Sequence, residues 1–294
     1  MEQRQKLKEE MVITKNMKML TTAYQEHALE QINFARYSVL ASREFALELA
    51  TIFGNVRHSY QRILEKMVDK DKKKLEELRK SLKNGKEVLV LVSANNKLYG
   101  ELIPKICNHF IKKAMETNSD LVVIGKEGKI LVDKAHLNRP YQYFEIPDSN
   151  INIDILRPLT TYLLPYENVL IFCGKFNNVV SQDVIEASLT GTPPEAAVKA
   201  GTESKHEDLF LFEPSIEYVV DFFENQIFSI ILSQTISEAQ LARFGSRIQA
   251  METAQNNMQK MIDQIARRQR LLRGMEINKK QLELFAGRRL WGKR

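Results

Sequence analysis

The residues able to do chemistry are few and scattered. Only two cysteines occur in 294 residues, Cys107 and Cys173, in the apolar contexts Lys-Ile-Cys-Asn and Ile-Phe-Cys-Gly. Two thiols so placed exclude a disulfide framework and any multi-cysteine zinc or iron-sulfur site, and buried structural thiols are expected. The five histidines, His27, His58, His109, His136 and His206, lack metal-ligand spacing and form no Ser/His/Asp or Cys/His grouping. The stretch Ser-Ala-Asn-Asn-Lys-Leu-Tyr-Gly at 93–100 has no glycine before its last position. It therefore matches neither a dinucleotide fingerprint nor a P-loop, and a phosphate would find no cradle there. Gly-Lys-Glu-Gly-Lys at 125–129 reads as a tight strand-to-strand turn. No catalytic residue, cofactor or metal site is expected.

The elements around these residues carry more information. The chain is 44% hydrophobic and 27% charged, with Lys+Arg 43 against Asp+Glu 37, which suits a soluble protein of one or two domains. No run approaches the ~18 apolar residues of a membrane span, and the polar first thirty residues argue against a secretory signal, so a cytoplasmic chain is expected. All eight prolines lie between Pro104 and Pro214. Residues 1–80 hold one glycine, Gly54, and residues 215–294 hold four, so both flanks can be long helices. Fifty to seventy helical residues would make a rod of roughly 75 to 105 Å.

Apolar spacing supports two helical arms. In the C-terminal arm Phe244, Ile248, Met251, Met258, Ile262, Ile265 and Leu272 follow three-four spacing, with Gln255 and Gln269 at the skipped positions. In the N-terminal arm Met17, Leu20 or Thr21, Tyr24, Ala28, Ile32, Ala35, Val39, Ser42, Phe45, Leu49 and Ile52 repeat the rhythm. These are seams of a coiled coil. A folded middle joins the arms, so the spacing predicts an antiparallel, left-handed pair, with coiled coils between two chains as the alternative.

The middle alternates. Strands are predicted at 86–93 and 120–125 with a helix at 102–115 between them, a βαβ unit. Further predictions are a strand at 129–133, an extended stretch at 141–146, a proline-bounded helix at 155–164, and strands at 168–173 and 208–213. The fold class is α/β: a long antiparallel coiled coil of N- and C-terminal helices plus a Rossmann-like middle domain. Its segments are an arm at 1–80, a foot at 81–212 and an arm at 213–294.

Several short strings are informative in their order. They are Ile-Thr-Lys-Asn-Met-Lys-Met-Leu at 13–20, the 93–100 loop, Ile-Gly-Lys-Glu-Gly at 124–128, and Lys175-Phe176-Asn177 followed by Ser181-Gln182. Leu-Phe-Glu-Pro-Ser at 211–215 comes next, then Arg247, Ala250, Met251, Ala254 and Asn257, then Arg273, Ile277 and Gly287. Together they resemble the gamma subunit of F-type ATP synthases and ATPases over essentially the whole chain.

The resemblance implies a central rotor shaft. Its two terminal helices would lie along the axis of a hexamer of catalytic and noncatalytic nucleotide-binding subunits, and its foot would bind the epsilon subunit and the c-subunit ring. Rotation would couple ion flow to changes of nucleotide affinity at the catalytic sites, and the chain itself would be noncatalytic. It would sit peripherally on the cytoplasmic face of the inner membrane, with no nucleic-acid partner and membrane contact only through the complex. Met17, Lys18, Met19 and Arg273 fall where the resemblance implies contacts with the hexamer.

Departures from the family pattern are specific. The family's Asp-(Arg/Lys)-Gly-Leu-Cys-Gly loop is here Ala94-Asn95-Asn96-Lys97-Leu98-Tyr99-Gly100, which lacks the acid and a glycine. Gly274 stands for Gln, Lys280 for an acid, and Ala242-Arg243 for Ser-Glu. Residues 267–294 carry ten Lys/Arg against Glu276 and Glu283, ending in Gly-Arg-Arg-Leu-Trp-Gly-Lys-Arg. Alternative readings are the shaft of a specialised F-like ATPase that does not drive ATP synthesis, and a coiled-coil scaffold or nucleic-acid adaptor using the basic tail.

Overall fold

The computed structural model describes residues 2–66, 83–149, 151–189 and 216–291. Their element order is α1 (Glu2–Lys66), β1 (Glu87–Val92), α2 (Leu102–Glu116), β2 (Asp120–Ile124), α3 (Lys126–Lys134), β3 (Tyr141–Phe144), α4 (Ile153–Leu163), β4 (Asn168–Phe176), β5 (Gln182–Ser188) and α5 (Ile216–Trp291). The fold class is the expected mixture of a sheet and long terminal helices. The chain forms two compact units, one of Met1–Ala28 with Ile248–Arg294 and one of Leu29–Arg247. None of the described helices is long and apolar enough to cross a membrane.

In the larger unit, five strands lie in the order β3-β2-β1-β4-β5. The first four are parallel, with Val90 opposite both Val122 and Ile171. Strand β5 runs antiparallel to β4. The apolar runs in β1, β2 and β4 arise because both faces of the sheet are covered. On one face Val88, Val90, Val122, Val169 and Ile171 meet Leu156, Leu159 and Leu163 of α4 and Phe228, Leu232 and Ile236 of α5. On the other, Phe172 of β4 meets Phe110 of α2 edge to face at 5.6 Å between ring centroids. Burying each such side chain contributes about 1.5–3 kcal/mol.

Three readings are corrected. The predicted strand at 129–133 and turn at 125–129 are instead the helix α3. The short run Ile130-Leu131-Val132 reads as a strand by composition, but Gly128 and Val132 are buried one helical turn apart. Helix α4 begins two residues earlier than predicted and contains Pro158, while the Asn152 side chain accepts the Ile155 N–H at 3.0 Å to cap it. Strand β5 was not predicted, because as an edge strand it is only half-buried and lacks an apolar run. Of the other predictions, the strand at 208–213 and the strings at 211–215 and Gly287 lie outside the described residues or side chains. Both thiols are buried, and burial raises Cys107 and Cys173 from 9.0 to about 12.

Candidate functional site

The smaller unit pairs α1 with α5. Polar contacts run Arg4 to Glu276 at 3.3 Å, Gln269 to the Leu7 carbonyl at 3.1 Å, Lys18 to Gln259 at 2.7 Å and Gln255 to Gln25 at 2.6 Å. Residue numbers rise on one helix as they fall on the other, so the pair is antiparallel. On α5 the inward positions are Met251, Gln255, Met258, Ile262, Ile265, Gln269, Leu272 and Glu276, an unbroken four-three alternation. Phe244 and Ile248 are also buried. Gln255 and Gln269, which interrupt the apolar repeat, bond across to the other helix.

The inward face of α1 differs from expectation. Thr14 and Ala28 are buried, and Leu7, Met11, Lys18, Thr21 and Gln25 are half-buried. Met17, Leu20 and Tyr24, predicted for the seam, are 49%, 55% and 47% exposed, whereas Thr21, the alternative to Leu20, lies in it. Stepping back from Ala28 in strict three-four alternation reaches Gln25, Thr21, Lys18 and Thr14. The predicted phase slipped by one residue because it chose bulkier apolar neighbours. Threonine methyls and the stems of Lys and Gln line the seam; the Thr14 and Thr21 hydroxyls donate to the Glu10 and Lys18 carbonyls of their own helix, while Lys18 and Gln25 bond across to Gln259 and Gln255. In the larger unit, Ala35 and Val39 pack with Leu241 and Phe176 as predicted for the arm, but Phe45 and Ile52 are exposed. The side chains of Ser42 and Leu49 lie outside the described residues.

Among the predicted contact residues, Met17 and Met19 face outward, Met19 at 71% exposure. Lys18 turns toward Gln259. Arg273 is exposed on α5. Val12, Ile13, Met261, Leu271, Met275, Ile277, Leu282, Leu284 and Phe285 are also at least half exposed. The seam is mostly apolar on its α5 side and largely polar on its α1 side, and large apolar side chains of both helices also stand outside it; exposed apolar groups on this scale are where a partner would be sought.

Sequence reasoning missed a second constellation, in the larger unit. Here the loop 93–100 meets α5 and the segment after β3. Arg243 donates to the Ser93 carbonyl, Ser246 to the Tyr99 carbonyl at 2.7 Å and Arg247 to the Lys97 carbonyl at 3.3 Å. The Arg247 guanidinium also lies 4.0 Å from the centre of the Tyr99 ring. Burial and the Asp148 carboxylate push the Tyr99 phenol from 10.0 to about 12, and burial lowers Arg243. The available signal was Arg243 itself, standing where the family pattern has an acid.

The glycine-containing strings turn out to be packing devices. Gly125 has φ +92, and a Cβ there would lie 2.8 Å from the Ala94 carbonyl oxygen. A Cβ on Gly128 would lie 2.4 Å from Ser93 Oγ. These glycines let α3 press onto β1 and its following loop.

A family model described as ATP synthase matches residues 3–289, and the chain belongs to that family. A protein of Geotalea daltonii named ATP synthase gamma chain is 25% identical, the match spanning 96% of this chain and 96% of that one. A protein of the same name from Halothermothrix orenii is 25% identical over 94% of this chain and 92% of its own. The fold is that of the central stalk in the stalk and c-ring structure of Tetrahymena thermophila mitochondrial ATP synthase, with TM-score 0.55, 18% identity, and 80% and 99% of the two chains covered. A chain of the OSCP/F1/c-ring structure of the Euglena gracilis enzyme gives TM-score 0.51 at 14% identity, over 88% and 93% of the two chains.

Proposed function

We propose that this chain is the central rotor shaft, the gamma subunit, of an F-type ATP synthase or ATPase. The observation that carries the proposal is the apolar surface left exposed on the two-helix unit. Apolar side chains such as Met17, Met19, Leu282 and Phe285 are exposed, beside a seam that holds Met251, Met258, Ile262 and Ile265 together with Thr14, Gln25, Gln255 and Gln269. Such a surface suits coverage by partners, and a sleeve of hexamer subunits is the cover that the family resemblance implies. The chain is noncatalytic. Its contribution is an uneven surface that interacts differently with the hexamer's conformations, since only differential interaction shifts an equilibrium.

Met17, Lys18, Met19 and Arg273 are the proposed hexamer contacts. An exposed ion pair stabilises by only about 0–1 kcal/mol, so the charges couple rotation and do not act as glue. Segments 1–80 and 213–294 act as the arms and 81–212 as the foot. The foot binds the epsilon subunit and the c-subunit ring, and the complex lies peripherally on the cytoplasmic face of the inner membrane. A second reading, the shaft of a specialised F-like ATPase, is favoured by Gly274, Lys280 and the basic residues from 267 onward.

The test is copurification of the tagged chain from its source at moderate salt, with ATP hydrolysis assayed in the eluate. Hexamer subunits with ATPase activity that falls when residues 267–294 are deleted support the proposal. A c subunit in the eluate separates the ion-coupled motor from the specialised form. Recovery of nucleic acid, or of self-dimers alone, refutes it.

A further inference from the structure

The 93–100 loop lacks the acid that the family pattern carries there, yet a carboxylate organises it. Asp148, on the segment after β3, accepts the backbone N–H groups of Asn95 and Asn96 at 2.9 Å each, the Asn96 side-chain amide at 2.9 Å and the Tyr99 hydroxyl at 3.2 Å. The Asp148 carbonyl accepts from Gln240 of α5 at 3.0 Å. Asn95 also donates to the Ile146 carbonyl at 2.7 Å and accepts the Lys126 N–H at 3.1 Å. From the other side, Arg243, Ser246 and Arg247 take three carbonyls of the same loop. Gln240, Arg243, Ser246 and Arg247 are each at most 7% exposed.

We infer that this polar node, buried on its α5 side, is the fastening through which twist passes between the sheet domain and α5. The inference rests on the proposed rotor role. Interdigitated apolar packing already seats α5 on the sheet, but its driving force is non-directional, so the finer control of rotation falls to directional contacts. Charge-assisted hydrogen bonds to backbone carbonyls are directional, and in a water-poor site they are stiff. Burying guanidinium groups is costly, and Nε of both Arg243 and Arg247 has no hydrogen-bond partner among the described residues. Mere attachment would be served better by leucine. The carbonyls they hold belong to the loop leaving the central strand β1, so torque on α5 is delivered to the middle of the sheet. Arg243, Ser246, Arg247 and Asp148 are positioning residues in this reading.

The test uses the purified complex with its hexamer fixed to a surface. A bead is attached to α2 through Asn108→Cys, an exposed site, while the natural thiols stay buried. The angular spread of the bead during catalytic pauses reports torsional stiffness. Arg243→Gln and Ser246→Ala are expected to raise the angular variance about twofold or more, with ATP hydrolysis by the complex without a bead within about twofold of wild type. Arg243→Lys, which keeps the charge and a donor, should restore most of the stiffness. Unchanged variance in both variants overturns the inference and leaves the rotor role intact. If Arg243→Gln does not assemble, Ser246→Ala, which removes one hydroxyl, decides alone. A wild-type chain that recovers no hexamer refutes the rotor role and the inference with it.

Discussion

Gly128→Ala and Gly274→Ala are the same chemical change on two helices, and the structure predicts opposite signs. Alanine in a helix interior is favoured over glycine by about 1 kcal/mol. At Gly274 none of the described residues lies within 4 Å of the new methyl group, so that gain should appear nearly whole. At Gly128 the methyl would lie 2.4 Å from Ser93 Oγ, 2.7 Å from Ser93 Cβ and 3.2 Å from Leu91 Cδ2. Ser93 cannot swing aside cheaply, because its hydroxyl donates to the Ile124 carbonyl at 2.6 Å and accepts the Gly128 N–H at 2.8 Å. Overpacking costs about 1–3 kcal/mol. The buried N–H left unpaired costs about 1–3 kcal/mol more. Against the propensity gain, the net is a loss of about 3 kcal/mol, a large part of the ~5–15 kcal/mol stability of a domain. Hydrogen exchange on the full chain reads it, as faster exchange of the β1 and β2 amides in Gly128→Ala. Ser93→Ala in that background should recover only part, since the Cβ overlap remains. Protection at or above wild type in Gly128→Ala would refute the close seating of α3 on β1.

Three further outcomes are expected. The Tyr99 phenol is raised from 10.0 to about 12 by burial and then by Asp148, so the native state holds it neutral. The stability this contributes is complete below about pH 10 and is lost as pH rises through about 12, roughly 3 kcal/mol in all; Tyr99→Phe should flatten that alkaline limb in denaturant titrations. Cys107 and Cys173, buried and raised to about 12, should resist iodoacetamide at about pH 8 in the folded chain and react together on unfolding. Met19→Asp, at a position 71% exposed, should leave helicity and melting unchanged to within about 0.5 kcal/mol while reducing recovery of hexamer subunits; unaltered recovery would count against Met19 as a contact.

The fit between sequence and structure follows the range of the forces involved. Long proline-free flanks specify helices locally, and strands buried on both faces must be apolar, so α1, α5, β1, β2 and β4 were legible as runs. Alternation with helices made the first βαβ unit legible, while the order of the remaining strands came from the structure. The half-exposed β5 had no such run, and α3 had a run short enough to pass for a strand until Gly128 was seen against Ser93.

The arm seam was legible in period but, in its N-terminal third, not in phase. Apolarity normally points inward, yet Met17, Leu20 and Tyr24 point outward, and Thr14, Lys18 and Gln25 occupy the seam. The node at the 93–100 loop was illegible for another reason. Read along the chain, the loop is missing its usual acid and α5 has an arginine where the resemblance places an acid. That the Asp148 carboxylate holds the loop and that Arg243 reaches Ser93 emerges in three dimensions alone, because hydrogen bonds act over about 3 Å in space and leave no periodic trace along the chain.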